Sequence, residues 1–91
     1  MKKFLFLYRG IEERSRENMD AWSAWFASVG ASMIDGGNPL GPGRSAGRDL
    51  VDASPITGYS LVSAEDMADA ERMASTCPAV GGIEIYEAFS M

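Results

Sequence analysis

The sequence predicts an α+β domain of order β-α-β-β-α-β, with an antiparallel sheet covered by helices on one face. Two observations carry that reading: an N-terminal strand that is apolar on both faces, and two helix-periodic segments set between strand-length apolar runs. At 91 residues the chain has room for one domain over residues 1–91 and one thin core. Association is a natural way to thicken such a core.

Lys3 to Arg9 is an unbroken apolar run bounded by charges and closed by Gly10. Side chains alternate along a strand, so Phe4, Phe6 and Tyr8 go one way and Leu5 and Leu7 the other. A strand wet on one side would alternate with polar residues, so this one requires a cover on each face. Ser15 to Val29 follows as a helix. Trp22, Trp25, Phe26 and Val29 fall on one stripe with Met19 a turn earlier, Ser15 or Asn18 can cap the start, and Gly30 stops it. Tryptophans at this spacing are core residues first, and a stacking platform for bases or sugars only second.

Ser32 to Asp35 reads as a short second strand running into the turn-forming Gly36-Gly37-Asn38-Pro39. Residues 38–56 are rich in Gly, Pro, Ser and Arg, too long a stretch for an idle loop. They are expected to form a hairpin arm, with a small strand over 48–51, or a functional loop. Thr57 to Ser63 is the third strand, with Tyr59 and Leu61 opposed to Gly58, Ser60 and Val62. Ser63, followed by Glu65 and Asp66, has the form of a capped start for a second helix. That helix carries Met67, Ala70, Ala74 and Cys77 on one stripe and ends at Pro78. Gly81-Gly82 turns the chain into a last strand, Ile83 to Ala88, in which Ile83 and Ile85 oppose Glu84 and Tyr86. The order is that of the split βαβ or ferredoxin-like arrangement. Its helices cover one sheet face, and the apolar remainder of the other marks an interface, best covered by a second copy packing sheet to sheet.

Charge narrows the function classes. Residues 1–48 carry a net +2 and residues 49–91 a net −7, with one arginine in the second half. Such a chain does not neutralise a phosphate backbone, so no nucleic-acid partner is expected. The lone Cys77 permits no internal disulfide, and the apolar run Phe4 to Tyr8 is far too short to span a bilayer. The expectation is a cytoplasmic protein without a membrane partner.

The segments Phe4-Leu-Phe-Leu-Tyr8, Ala21-Trp-Ser-Ala-Trp25, Asp35-Gly-Gly-Asn-Pro39, Gly58-Tyr-Ser-Leu61, Cys77-Pro78 and Gly82-Ile-Glu-Ile-Tyr-Glu87 together resemble the YCII-related family of small dimeric α+β-barrel proteins. The resemblance covers essentially the whole chain. It implies a homodimer in which two ferredoxin-like units close a barrel through their sheets. It implies little about activity, although some relatives resemble muconolactone isomerases and dehydrochlorinases and are proposed to use a His and an Asp in a pocket. This chain has no histidine; spacing back from Gly30 puts Met19 at the helix position of that His, and Asp52-Ala-Ser-Pro55 replaces the Asp-Gly-Pro-Phe segment of another branch. A histidine-based enzyme is thereby excluded.

Without His, acid or base chemistry falls to other groups. Asp35, at a strand end beside two glycines, is one catalytic candidate, the alternative being an Asx turn. Glu84, between two isoleucines, is the other, if an apolar setting raises its pKa; the alternative is an ion pair with Arg9 or Lys3. Tyr8, Arg9, Tyr59 and Tyr86 are candidates to converge on a small acidic ligand, together with Asp35. Arg44 and Arg48, among Gly43, Ser45 and Gly47, offer a weaker anion site or a solvated arm tip. Cys77 at a helix C-terminus is placed as a packing residue rather than a nucleophile. One Cys cannot build a zinc or iron–sulfur site, and Glu65, Asp66 and Asp69 read as a solvated helix face, so no metal and no cofactor are expected.

The leading expectation is a non-catalytic or regulatory homodimer that binds a small acidic or aromatic metabolite in a pocket bordered by Arg9, Asp35 and Tyr59. The alternatives are a carboxylate-dependent isomerase or lyase using Asp35 or Glu84, and a purely structural interaction module.

Overall fold

The computed structural model describes residues 1–10, 15–44, 46–47 and 55–90. Its elements are β1 (Lys2–Arg9), α1 (Arg16–Val29), a 3-10 turn (Gly30–Ser32), β2 (Met33–Asp35), β3 (Ile56–Ala64), α2 (Met67–Ala74) and β4 (Ile83–Ala88). The strands form one four-stranded sheet in the order β2-β3-β1-β4, and each neighbouring pair is antiparallel. The architecture is α+β and compatible with a ferredoxin-like fold.

Register sorts the side chains. Phe4, Phe6 and Tyr8 lie opposite Val62, Ser60 and Gly58 on one side and Glu87, Ile85 and Ile83 on the other. The alternate set brings Leu5 beside Leu61 and Tyr86, and Leu7 beside Tyr59 and Glu84. Both helices cover the Phe4/Phe6/Tyr8 face, where Phe4 and Phe6 are fully buried among Trp25, Val62, Ala70 and Ala74. Ala70 and Ala74 let α2 approach the sheet closely. Trp25 fills the volume beneath α1, and its Nε1–H donates to the Met73 carbonyl at 3.0 Å, joining the two helices.

Local signals set most boundaries. The Ser15 hydroxyl accepts the Asn18 N–H at 3.0 Å, capping α1, and Gly30 ends it with a positive φ of 59° that glycine adopts most readily. The second helix departs from expectation at both ends. Ser63 is not its cap: β3 runs on to Ala64 because Lys2 and Lys3 continue to pair with Ala64 and Ser63, and Asp66 caps instead by accepting the Asp69 N–H at 2.8 Å. At the other end, α2 stops at Ala74, so Cys77 packs against the core from the segment after it. The arm is shown at its root, where Pro39 bridges Gly58 and the Leu40 N–H donates to the Thr57 carbonyl at 2.9 Å. The small strand expected over 48–51 lies outside the described residues.

Candidate functional site

A cleft of about 700 Å³ opens between α1, the ends of β1 and β3, and the connection 36–40. Its apolar surface comes chiefly from Tyr8, Met19, Trp22, Phe26 and Leu40, and Asn18, Asn38, Thr57 and Tyr59 also line it. This is the size and apolar character of a small-molecule site. The aromatic surface is fixed by edge contacts: Tyr8 meets Trp22 edge-on with ring centres 4.9 Å apart, and Phe26 packs against Trp22 at 6.1 Å. The helical stripe thus divides in two. Trp25 is core as expected, whereas Trp22 is only half-buried and forms part of the cleft, as does the exposed Met19.

Polar groups behind the cleft form a directed chain. The Tyr8 hydroxyl donates to Ser60 Oγ at 2.7 Å, and Ser60 Oγ donates to the Gly36 carbonyl at 2.8 Å. Ser60 is fully buried, so both of its bonds matter. Burial pushes the Tyr8 phenol up to about 12, with the Ser60 hydrogen bond opposing. At the cleft wall Gly37 has φ +72, and a Cβ there would stand 1.7 Å from the Tyr59 carbonyl oxygen. Only glycine lets the connection pass so close to β3. The neighbouring Asn38 Nδ2 donates to the Tyr59 hydroxyl at 3.2 Å.

The structure brings Tyr8 to the cleft, with Tyr59 at its edge on the opposite face of β3 beside Leu7, but not the other candidates. Arg9 follows Tyr8 directly in β1 and so projects from the opposite face, where it pairs with Glu84. Tyr86 belongs to the same cluster, donating its hydroxyl to Glu84 Oε2. These bonds overturn the expectation of a raised Glu84 pKa. The Tyr86 hydrogen bond first, and the Arg9 hydrogen bond second, hold the carboxyl below its ordinary range, while the same carboxylate raises the Tyr86 phenol. Glu84 is thus the ion-pair partner of Arg9, the alternative its sequence position also offered. Asp35 is exposed and takes the Asx-turn role, its Oδ1 accepting the Gly37 N–H at 2.8 Å. It does not line the cleft, so the expected Arg9–Asp35–Tyr59 pocket is not assembled. Arg44 is exposed, and Arg48 lies outside the described residues.

Other carboxylates have structural partners as well. Asp69 accepts the Glu65 N–H at 3.0 Å and pairs with Arg72, which lowers its pKa, the Glu65 bond contributing most. Among the described residues, no helix is long and apolar enough to cross a membrane. Reasoning from sequence missed the Tyr8–Ser60–Gly36 chain and the part played by Asn38. The signal was present in Ser60, a lone hydroxyl on the otherwise apolar buried face of β3. No protein-family model, no curated protein and no solved structure matches the chain.

Proposed function

We propose that the protein is a cytoplasmic homodimer of the YCII-related type, two ferredoxin-like units joined through their open sheet faces, and that it binds a small aromatic metabolite in the Trp22 cleft without transforming it. The carrying observation is the cleft itself: a concave, aromatic-lined space with no formally charged side chain among the described residues that line it. That lining favours the aromatic over the acidic ligand, because Arg9, the cation expected at this pocket, is on the other face and paired with Glu84. The non-catalytic part rests on the carboxylates, since Asp35 closes a turn and Glu84 is an ionised ion-pair partner. The dimer rests on the open face, where Leu5, Leu7 and Leu61 are only partly covered and Ile34 and Tyr86 are half exposed.

Native mass spectrometry of protein purified gently from its own host tests both halves. A dimer retaining a small aromatic molecule is the expected result. A monomer that stays folded and monodisperse at high concentration would end the dimer reading.

A further inference from the structure

The hydrogen-bond chain behind the cleft has only one possible polarity. A backbone carbonyl can only accept, so the single Ser60 proton is committed to Gly36. Ser60 can then only accept from Tyr8, which commits the single phenolic proton of Tyr8 in turn. What remains on the Tyr8 oxygen is lone pairs. The phenol stays protonated at neutral pH, as its elevation to about 12 requires, so this polarity holds across the physiological range. Gly36, at the far end of the chain, and Tyr8 both line the cleft. The Tyr8 oxygen thereby keeps only acceptor capacity, in a residue that lines the cleft beside the Trp22 and Phe26 rings.

Resting on the reading of the cleft as a ligand site, we infer that its ligand is an uncharged aromatic molecule that presents an N–H or O–H donor to the Tyr8 oxygen. At Tyr8 a carboxylate ligand would meet an acceptor with no proton to share, and among the described lining residues it would meet no formal positive charge to offset its lost hydration. A neutral heteroaromatic N–H or a phenol gains both the stacking surface of Trp22 and Phe26 and the Tyr8 acceptor. Such a molecule is read by one hydrogen bond of fixed direction.

Three probes of one ring system test this in a nitrogen-edited NMR titration of the whole chain: indole, which donates; 1-methylindole, which does not; and indole-3-carboxylate, which is anionic. Indole is expected to bind about 3- to 10-fold more tightly than 1-methylindole, the value of one neutral hydrogen bond. Indole-3-carboxylate should be the weakest of the three. Tyr8→Phe should bring indole and 1-methylindole within about 2-fold of each other while leaving 1-methylindole bound. Should Tyr8→Phe fail to fold, Ser60→Ala serves instead: it releases the phenolic proton, and indole-3-carboxylate should gain on indole. Tightest binding of indole-3-carboxylate to the unsubstituted chain overturns the uncharged ligand. A preference for indole that survives Tyr8→Phe overturns the role of Tyr8. If none of the probes shifts Gly36, Gly37 or the Trp22 side chain, the cleft is not a ligand site at all, a failure distinct from choosing the wrong ligand class.

Discussion

Tyr8 and Arg9 are neighbours in β1, and they belong to different environments. Tyr8 is nearly buried on the helix-covered face, its phenol pushed up by desolvation and its hydroxyl tied into a chain that ends on backbone. Arg9 is on the open face, in a charged cluster with Glu84 and Tyr86 that remains partly in water. One residue of strand alternation separates an aromatic cleft from an ion-paired surface. The contrast shows why aromatic and basic residues adjacent in a strand sequence do not combine into one acid-binding pocket.

The strongest test of the contrast is a pair of neighbouring substitutions. Phe6→Ala should remove about 3–5 kcal/mol of stability, because its fully buried ring has no surroundings free to collapse around the void. For a small domain that is a large fraction of the total. Leu5→Lys, one residue away on the open face, should leave the fold intact and instead convert the proposed dimer to a monomer in sedimentation velocity. Equal losses of stability from the two, measured by urea denaturation, would mean that the faces are not different in kind.

Tyr8 gives the next largest effect, and it appears at high pH. Its folded-state pKa lies above the ordinary 10.0, at about 12, so the stabilisation is complete below pH 10 and is lost as pH rises toward 12. Two pKa units correspond to about 3 kcal/mol. Denaturation between pH 9 and 12 should therefore be steeper for the unsubstituted chain than for Tyr8→Phe, and parallel curves would contradict the burial of the phenol.

Ser60→Ala comes next, at about 1–3 kcal/mol, since it leaves the buried Tyr8 hydroxyl and the Gly36 carbonyl without their shared partner. A loss well under that range in thermal denaturation would show that water takes over the two bonds.

These residues also mark what the sequence makes legible. Period-two alternation in β1 and β3 sets which side chains share a face, and the Trp22/Trp25/Phe26 spacing sets which side of α1 meets the sheet. Both are properties of one segment at a time. The end of β3 was misplaced because Ser63 has cap chemistry, yet pairing with Lys3 is a long-range fact that outweighs it. The cleft was legible only in part. Tyr8 and Tyr59 are there, but Asn38 reaches Tyr59 through a connection whose path depends on Gly37 passing the backbone of β3. Arg9 and Tyr86 lie apart from Tyr8, which was not legible because sequence gives residue type without strand pairing, and pairing puts both beside Glu84.

The smallest effect isolates what holds Glu84. Its pKa lies below the ordinary 4.5, so the carboxylate's contribution to stability is present above that pH and fades as pH falls below it. The Tyr86 hydrogen bond is the leading cause and the Arg9 hydrogen bond the second. Tyr86→Phe keeps the ring on the open face and removes only the donor. The Glu84 midpoint, followed by carbon-detected NMR of the carboxyl group, should then move up toward its ordinary value while Arg9 keeps it from reaching it. The acid-induced loss of stability should shrink in the same variant, because less separates the folded from the unfolded midpoint. An unmoved midpoint would assign the depression to Arg9 instead, and the open-face cluster would then be a simple ion pair beside an independent tyrosine.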